Sequence, residues 1–168
     1  MKKQKLSICT ILFLAFILMS GCHNPNKTDN YSIGVVLPFT GELASYSAPM
    51  KQGMELAAEE IKKSKAEKIE LKYVDSKAEA KTAVSAVMQM SNVNKIHYFI
   101  GDISSTTTLA MIPVIESSKS VLLSPGASSP KLSNASKSFA RNYPSSLDES
   151  LKSAEYAYNK LKISKATP

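Results

Sequence analysis

Apolar and polar positions change period along the chain. Tyr31–Leu37 (YSIGVVL) is a β-branched apolar run closed by Pro38, which predicts a buried strand. Over Pro49–Lys62 the period becomes helical. Met50, Met54, Ala57 and Ile61 fall on one face, and Lys51, Glu55, Glu59 and Lys62 on the other. Pro49 suits the first turn of that helix, where a missing N–H is no loss. Ile69, Leu71 and Tyr73 alternate with Glu70 and Lys72, predicting a strand with one polar side. Asp75 or Ser76 is then placed to cap a helix whose stripe is Ala80, Ala83, Val84, Val87 and Met88. Ile96–Ile100 predicts the third strand, Leu109–Ile115 belongs to a helix bent by Pro113, and Val121–Leu123 predicts the fourth strand. Phe139–Arg141 reads as a short edge strand. Leu147, Leu151, Ala154, Tyr158 and Leu161 mark a last amphipathic helix, with Asp148 and Glu149 near its positive end.

Strands alternating with helices of this length imply βαβ units. The expected fold class is therefore α/β: a three-layer, mostly parallel, doubly wound sheet with helices on both faces. Such sheets bind ligands beyond the carboxyl ends of their strands, where strand order reverses. The loops expected to converge there are Thr40–Tyr46, Gly101–Thr107 and Ser124–Ser129.

Composition narrows the class. The chain has 168 residues, 43% of them hydrophobic and 21% charged, as in an ordinary globular protein. Of its formal charge of +7, Lys2, Lys3 and Lys5 supply three units at the extreme N-terminus; without them 18 basic residues face 14 acidic ones. The surplus is dispersed and Arg141 is the single arginine, so the concentrated basic stripe of a nucleic-acid-binding surface is missing. Met1–Lys5 is a positive region, Leu6–Met19 is apolar but shorter than a membrane span, and Ser20-Gly21-Cys22 follows. This is the layout of a cleaved secretory signal over residues 1–21. Leu18–Cys22 resembles a bacterial lipobox, with Met19 where leucine is usual, which makes Cys22 the expected lipidated first residue. The other cysteine, Cys9, lies in the leader, so the mature chain would contain no disulfide and no cysteine-based zinc site. Residues 22–30 read as a lipidated polar tether to the membrane.

The loops after the third and fourth strands carry the candidate chemistry. Gly101-Asp102-Ile103-Ser104-Ser105-Thr106-Thr107 leads into a helix, whose first N–H groups are unsatisfied and carry partial positive charge. Hydroxyls beside them suit a carboxylate. Gly126-Ala127-Ser128 offers carbonyls and a hydroxyl, which suit an ammonium. Together the loops fit an α-amino acid, with its carboxylate at Ser105 and its amine at the Gly126 carbonyl and Ser128. On the residues alone, Ser105 or Thr106 can equally be a plain helix cap, and Ser124-Pro125-Gly126 a plain turn. No nucleophile elbow, P-loop, dinucleotide fingerprint or metal-ligand spacing occurs, so neither an enzyme nor a cofactor is expected. His97 reads as a structural strand residue.

The stretches IGVVLPFTGELASYSAPMKQGMELAAEEI and GDISSTTTLAMIPVIESSKSVLLSPGASSPKLS resemble the N-terminal part of the leucine/isoleucine/valine-binding family of type I periplasmic binding proteins. The likeness spans about residues 31–162. It rests on Pro38-x-Thr40-Gly41, on Gly53, and on Ser124–Ala127 with Pro130, in family order and spacing. It implies a protein that binds a small solute outside the cytoplasmic membrane and hands it to an ABC permease without chemistry. Carried over, Ser105 matches a hydroxyl on the ligand carboxylate, Gly126 a backbone-carbonyl contact, and Ser128 a hydroxyl touching both ends of an amino acid. Tyr46 matches an aromatic wall of the pocket, and Thr106 and Ala127 complete the candidate set. Family members have two lobes, so residues 31–168 are expected to be a partial N-terminal lobe with a half-site, a truncated form of the fold. The alternative reading is an interaction or sensor lipoprotein that uses the same fold without transport.

Overall fold

The computed structural model describes residues 30–65, 68–163 and 165. The leader, lipidation at Cys22 and the tether up to residue 29 lie outside them. Five strands form one sheet: β1 (Asn30–Leu37), β2 (Lys68–Asp75), β3 (Tyr98–Gly101), β4 (Val121–Ser124) and β5 (Phe139–Arg141). Their order is β2-β1-β3-β4-β5, and every pairing is parallel. Among the described residues four helices connect or follow them: α1 (Ala44–Lys65), α2 (Ala80–Asn92), α3 (Ser105–Ser117) and α4 (Ser146–Asn159). A single 3₁₀ turn, Pro130–Leu132, lies between β4 and β5.

β1 lies inside the sheet between β2 and β3, with both its faces covered. Val35, Val36 and Leu37 are fully buried. Val36 joins Phe99 and Leu122 in a core with Ala83, Val87 and Met90 of α2 and Met111, Ile112 and Ile115 of α3. On the other face Val35 is in register with Tyr73 of β2. Tyr73 meets α1: Lys51 Nζ sits 4.9 Å from the ring centroid, and the phenol donates to Glu55 at 3.4 Å. Burial, then the charge and hydrogen bond of Glu55, push this phenol up to about 12. Right-handed crossovers on a sheet whose order reverses at β1 put α1 on one face and α2 and α3 on the other. α1 shields only the β1–β2 half. On the same face Tyr98 and Val121, paired in register, remain 54% and 50% exposed.

Several local expectations are corrected. α1 begins at Ala44, so Pro49 lies in its second turn, not its first. The Ser47 hydroxyl bonds the Pro38 carbonyl at 2.7 Å and draws the earlier start in against β1. The inward face of α1 runs through Ser47, Met50, Lys51, Met54, Ala58 and Ile61; Ala57 is exposed, and Lys51 turns inward to cover Tyr73. Neither Asp75 nor Ser76 caps α2, whose N-cap is Glu79 without a side-chain bond. Both are engaged elsewhere, as described below. Met88 is exposed, and Ala86 and Met90 complete the buried stripe of α2 in its place. Ile96 is buried ahead of β3, which starts at Tyr98. Leu161 lies beyond the end of α4. The sheet edge next to β4 is covered by β5, as the Phe139–Arg141 pattern predicts.

Candidate functional site

With strand order 2-1-3-4-5, the reversal falls between β1 and β3, and the loops at the carboxyl ends of β1, β3 and β4 gather above it. The loop after β1 is held by Asp75 at the end of β2. Its Oδ1 accepts from the amides of Phe39 (2.8 Å), Thr40 (3.3 Å) and Lys77 (2.9 Å), and its Oδ2 from the Thr40 hydroxyl at 2.5 Å. Partial burial works to raise its pKa, but the hydrogen bonds together hold the carboxyl below the usual carboxylate range. Gly41 completes this loop with φ +83°, a left-handed conformation that glycine adopts without strain.

The loop after β3 turns at Gly101, where φ is +146° and a Cβ would stand 1.9 Å from the Val36 carbonyl oxygen. Only glycine passes there. α3 is capped by Ser104, whose side chain accepts from the Thr107 amide at 3.4 Å. The cap is therefore neither Ser105 nor Thr106. Ser105 is left as the first helical residue, and its hydroxyl accepts the Ser129 amide at 3.1 Å, joining the β3 and β4 loops. Thr106, next along α3, is exposed.

In the loop after β4, the Ser124 hydroxyl accepts the Ala127 amide at 3.0 Å. Ala127 is fully buried and packs in the core. Arg141 of β5 gathers the loop's carbonyls, donating from Nη1 to Ala127 (3.3 Å) and Ser129 (2.9 Å). The Ser128 carbonyl accepts the Ser146 amide at the start of α4, at 2.8 Å. The candidate set thus divides. Tyr46 and Gly126 line an open cleft of about 270 Å³, whose other walls are Leu43, Met50, Ile103 and Tyr143. Ser105 and Thr106 open α3, Ala127 and Ser128 follow β4, and none of the four is among the walls of the cleft. Sequence pattern singles out neither Leu43, Ile103 and Tyr143 nor the loop-organising Arg141, and it assigns Met50 to helix packing. Position is the available signal for three of them: Leu43, Ile103 and Tyr143 each follow the carboxyl end of a strand. Among the described residues no charged side chain lines the cleft, so it accommodates an apolar group.

A doubly wound parallel sheet with an apolar cleft at its switch point defines a binding lobe of the type I periplasmic class. Residues 30–166 match the family model described as periplasmic binding protein, and the chain belongs to that family. It is 32% identical over 104 residues to the Leu/Ile/Val-binding protein homolog 3 of Brucella melitensis, covering 60% of this chain and 28% of that protein. Among solved structures it is similar to the leucine-binding protein LivK of Thermotoga maritima (TM-score 0.71, 26% identity, 79% of this chain and 38% of that one). It is likewise similar to an ABC-transporter substrate-binding protein of Desulfitobacterium hafniense in complex with leucine (TM-score 0.70, 25% identity, 79% and 39%). The chain spans between about a quarter and two fifths of the length of these relatives. Proteins of this family work outside the cytoplasm, and the matched relatives are binding proteins, not enzymes.

Proposed function

We propose that this chain forms part of the solute-binding protein of an ABC importer, tethered to a bacterial membrane by lipid on Cys22 and taking an amino acid with an apolar side chain. The observation that carries the reading is the pairing of the apolar cleft with the Ser105–Ser129 junction. The Ser105 oxygen accepts from Ser129, so its own proton is available to donate, next to the first amides of α3, which have no intrahelical acceptor. A carboxylate fits that corner. In this reading the Ser128 hydroxyl and the Gly126 carbonyl take the amine. Leu43, Met50, Ile103 and Tyr143 take the side chain, with Tyr46 as the outer wall.

A ligand against this wall keeps one side in solvent, so binding by this chain alone is weaker than roughly micromolar. Thermal melting against a panel of amino acids tests the reading, because a ligand that binds only the native state raises the melting temperature. Leucine-like solutes at millimolar concentration should raise it and glutamate should not. No response to any amino acid, or an equal response to charged ones, would overturn the proposal. Mass spectrometry of membrane-extracted protein tests the anchor: the mature chain should begin at acylated Cys22.

A further inference from the structure

Asp102 is fully buried and takes no part in lining the cleft, yet three loops meet on it. Its Oδ1 accepts the Ser104 amide at 2.8 Å, and its Oδ2 accepts the Ser76 hydroxyl from the β2–α2 loop. Its main-chain carbonyl accepts two further hydroxyls, Thr108 of α3 at 3.0 Å and Ser124 at the end of β4 at 2.7 Å. Ser124 in turn receives the Ala127 amide. Ile103 sits between Asp102 and Ser104, both fixed by these bonds, and its side chain faces Gly126: a Cβ added to Gly126 would lie 3.1 Å from Ile103 Cγ2. A buried carboxylate is costly, and its hydrogen-bond partners offset part of that cost. A helix cap alone does not require one, since Ser104 already caps α3.

We infer that Asp102 is a positioning residue of the cleft: its carboxylate ties the Ser76 hydroxyl to the Ser104 amide, and with the main chain of the same residue held by Ser124 this sets Ile103 against Gly126 and so fixes the mouth of the site. The consequence for ligand rests on the function proposed above. The positioning itself is read without ligand.

Amide hydrogen exchange on the full chain tests it, comparing the wild type with Asp102→Ala, Asp102→Asn and Ser76→Ala. Asp102→Ala should speed exchange at Ser104 by about tenfold or more, the mark of local opening, while Val87 and Met111 in the core helices change little, and so should Ala127, whose acceptor Ser124 bonds the retained main-chain carbonyl of residue 102. Asp102→Asn keeps an oxygen for the Ser104 amide and an amide group for Ser76, and should restore most of the protection. Equal acceleration at all four amides, or an asparagine variant no better than alanine, would overturn the inference. Should Asp102→Ala fail to fold, Ser76→Ala, which removes one partner only, is judged by the same contrast. Leucine-induced melting shifts, run in parallel, separate the two proposals. A wild type that ignores leucine sinks the ligand reading and leaves the exchange result to decide the role of Asp102.

Discussion

The Ser105 hydroxyl accepts the Ser129 amide at 3.1 Å, across two loops that follow neighbouring strands of the sheet. The bond spans 24 residues of sequence and ties the first residue of α3 to the loop after β4. Ser105→Ala leaves the Ser129 amide without this acceptor. Losing a bond of this kind costs about 1 kcal/mol. Urea denaturation should show that loss, and melting experiments should show the leucine response reduced further than the stability change explains. Ser105→Thr keeps the oxygen and should recover the stability.

Glycine positions sort by surroundings. Gly53 lies within α1, and a Cβ added there would meet nothing within 4 Å, whereas a Cβ on Gly101 would overlap the Val36 carbonyl at 1.9 Å. Gly53→Ala should stabilise the protein by about 0.5–1 kcal/mol through helix propensity. Gly101→Ala should cost about 3 kcal/mol or more, because the strand must shift or the loop rebuild. Denaturation midpoints of the two variants should move in opposite directions.

The fold was largely legible because β1, β3 and β4 are short apolar runs with a breaker after them, β2 alternates, and the helices carry stripes. Pro38 ends β1, and Gly101 and Ser124 stand at the ends of β3 and β4. Local pattern misleads where a tertiary bond outweighs it. Ser47 reaches the Pro38 carbonyl and starts α1 early, and a lysine stem covers Tyr73. Of the site, the hydroxyl loops were visible as composition. The apolar walls were not: Leu43, Met50, Ile103 and Tyr143 come from three separate loops and a helix, and meet only when the sheet is assembled. Asp102 carries no signal by itself, since its importance lies in the Ser76 hydroxyl and the Ser104 amide that converge on its carboxylate.

Two carboxyls should give stability opposite pH dependences. Hydrogen bonds hold Asp75 below its ordinary value, so its contribution is present above that value and is lost as pH falls through the folded-state pKa. Burial raises Asp102 despite its hydrogen bonds, so its contribution is present below the ordinary value and declines as pH rises through the folded-state pKa. Asp75→Asn should therefore destabilise the protein at pH 7 and converge on the wild type in acid. Asp102→Asn should compare best with the wild type near neutrality and worst in acid. Urea midpoints measured from pH 3 to pH 7 decide both signs.

α4 separates amphipathic pattern from core packing. Leu151 is 60% exposed and the helix buries no residue, whereas Leu122 of β4 is fully buried among Phe99, Met111 and their neighbours. A 14-residue helix that buries none of its residues is marginal in water, so α4 adds little to the stability of the sheet. Its start is fixed by the Ser145 side chain, which accepts the Leu147 amide, and by the Ser146 amide, which bonds the Ser128 carbonyl. Leu151→Lys should consequently change the unfolding free energy by no more than about 0.5 kcal/mol. Leu122→Ala, which opens a cavity between β4 and the helices, should cost about 2–5 kcal/mol. If Leu151→Lys proved as damaging as Leu122→Ala, α4 would have to pack on an apolar surface in solution, and the uncovered Tyr98–Val121 face is the one the fold offers.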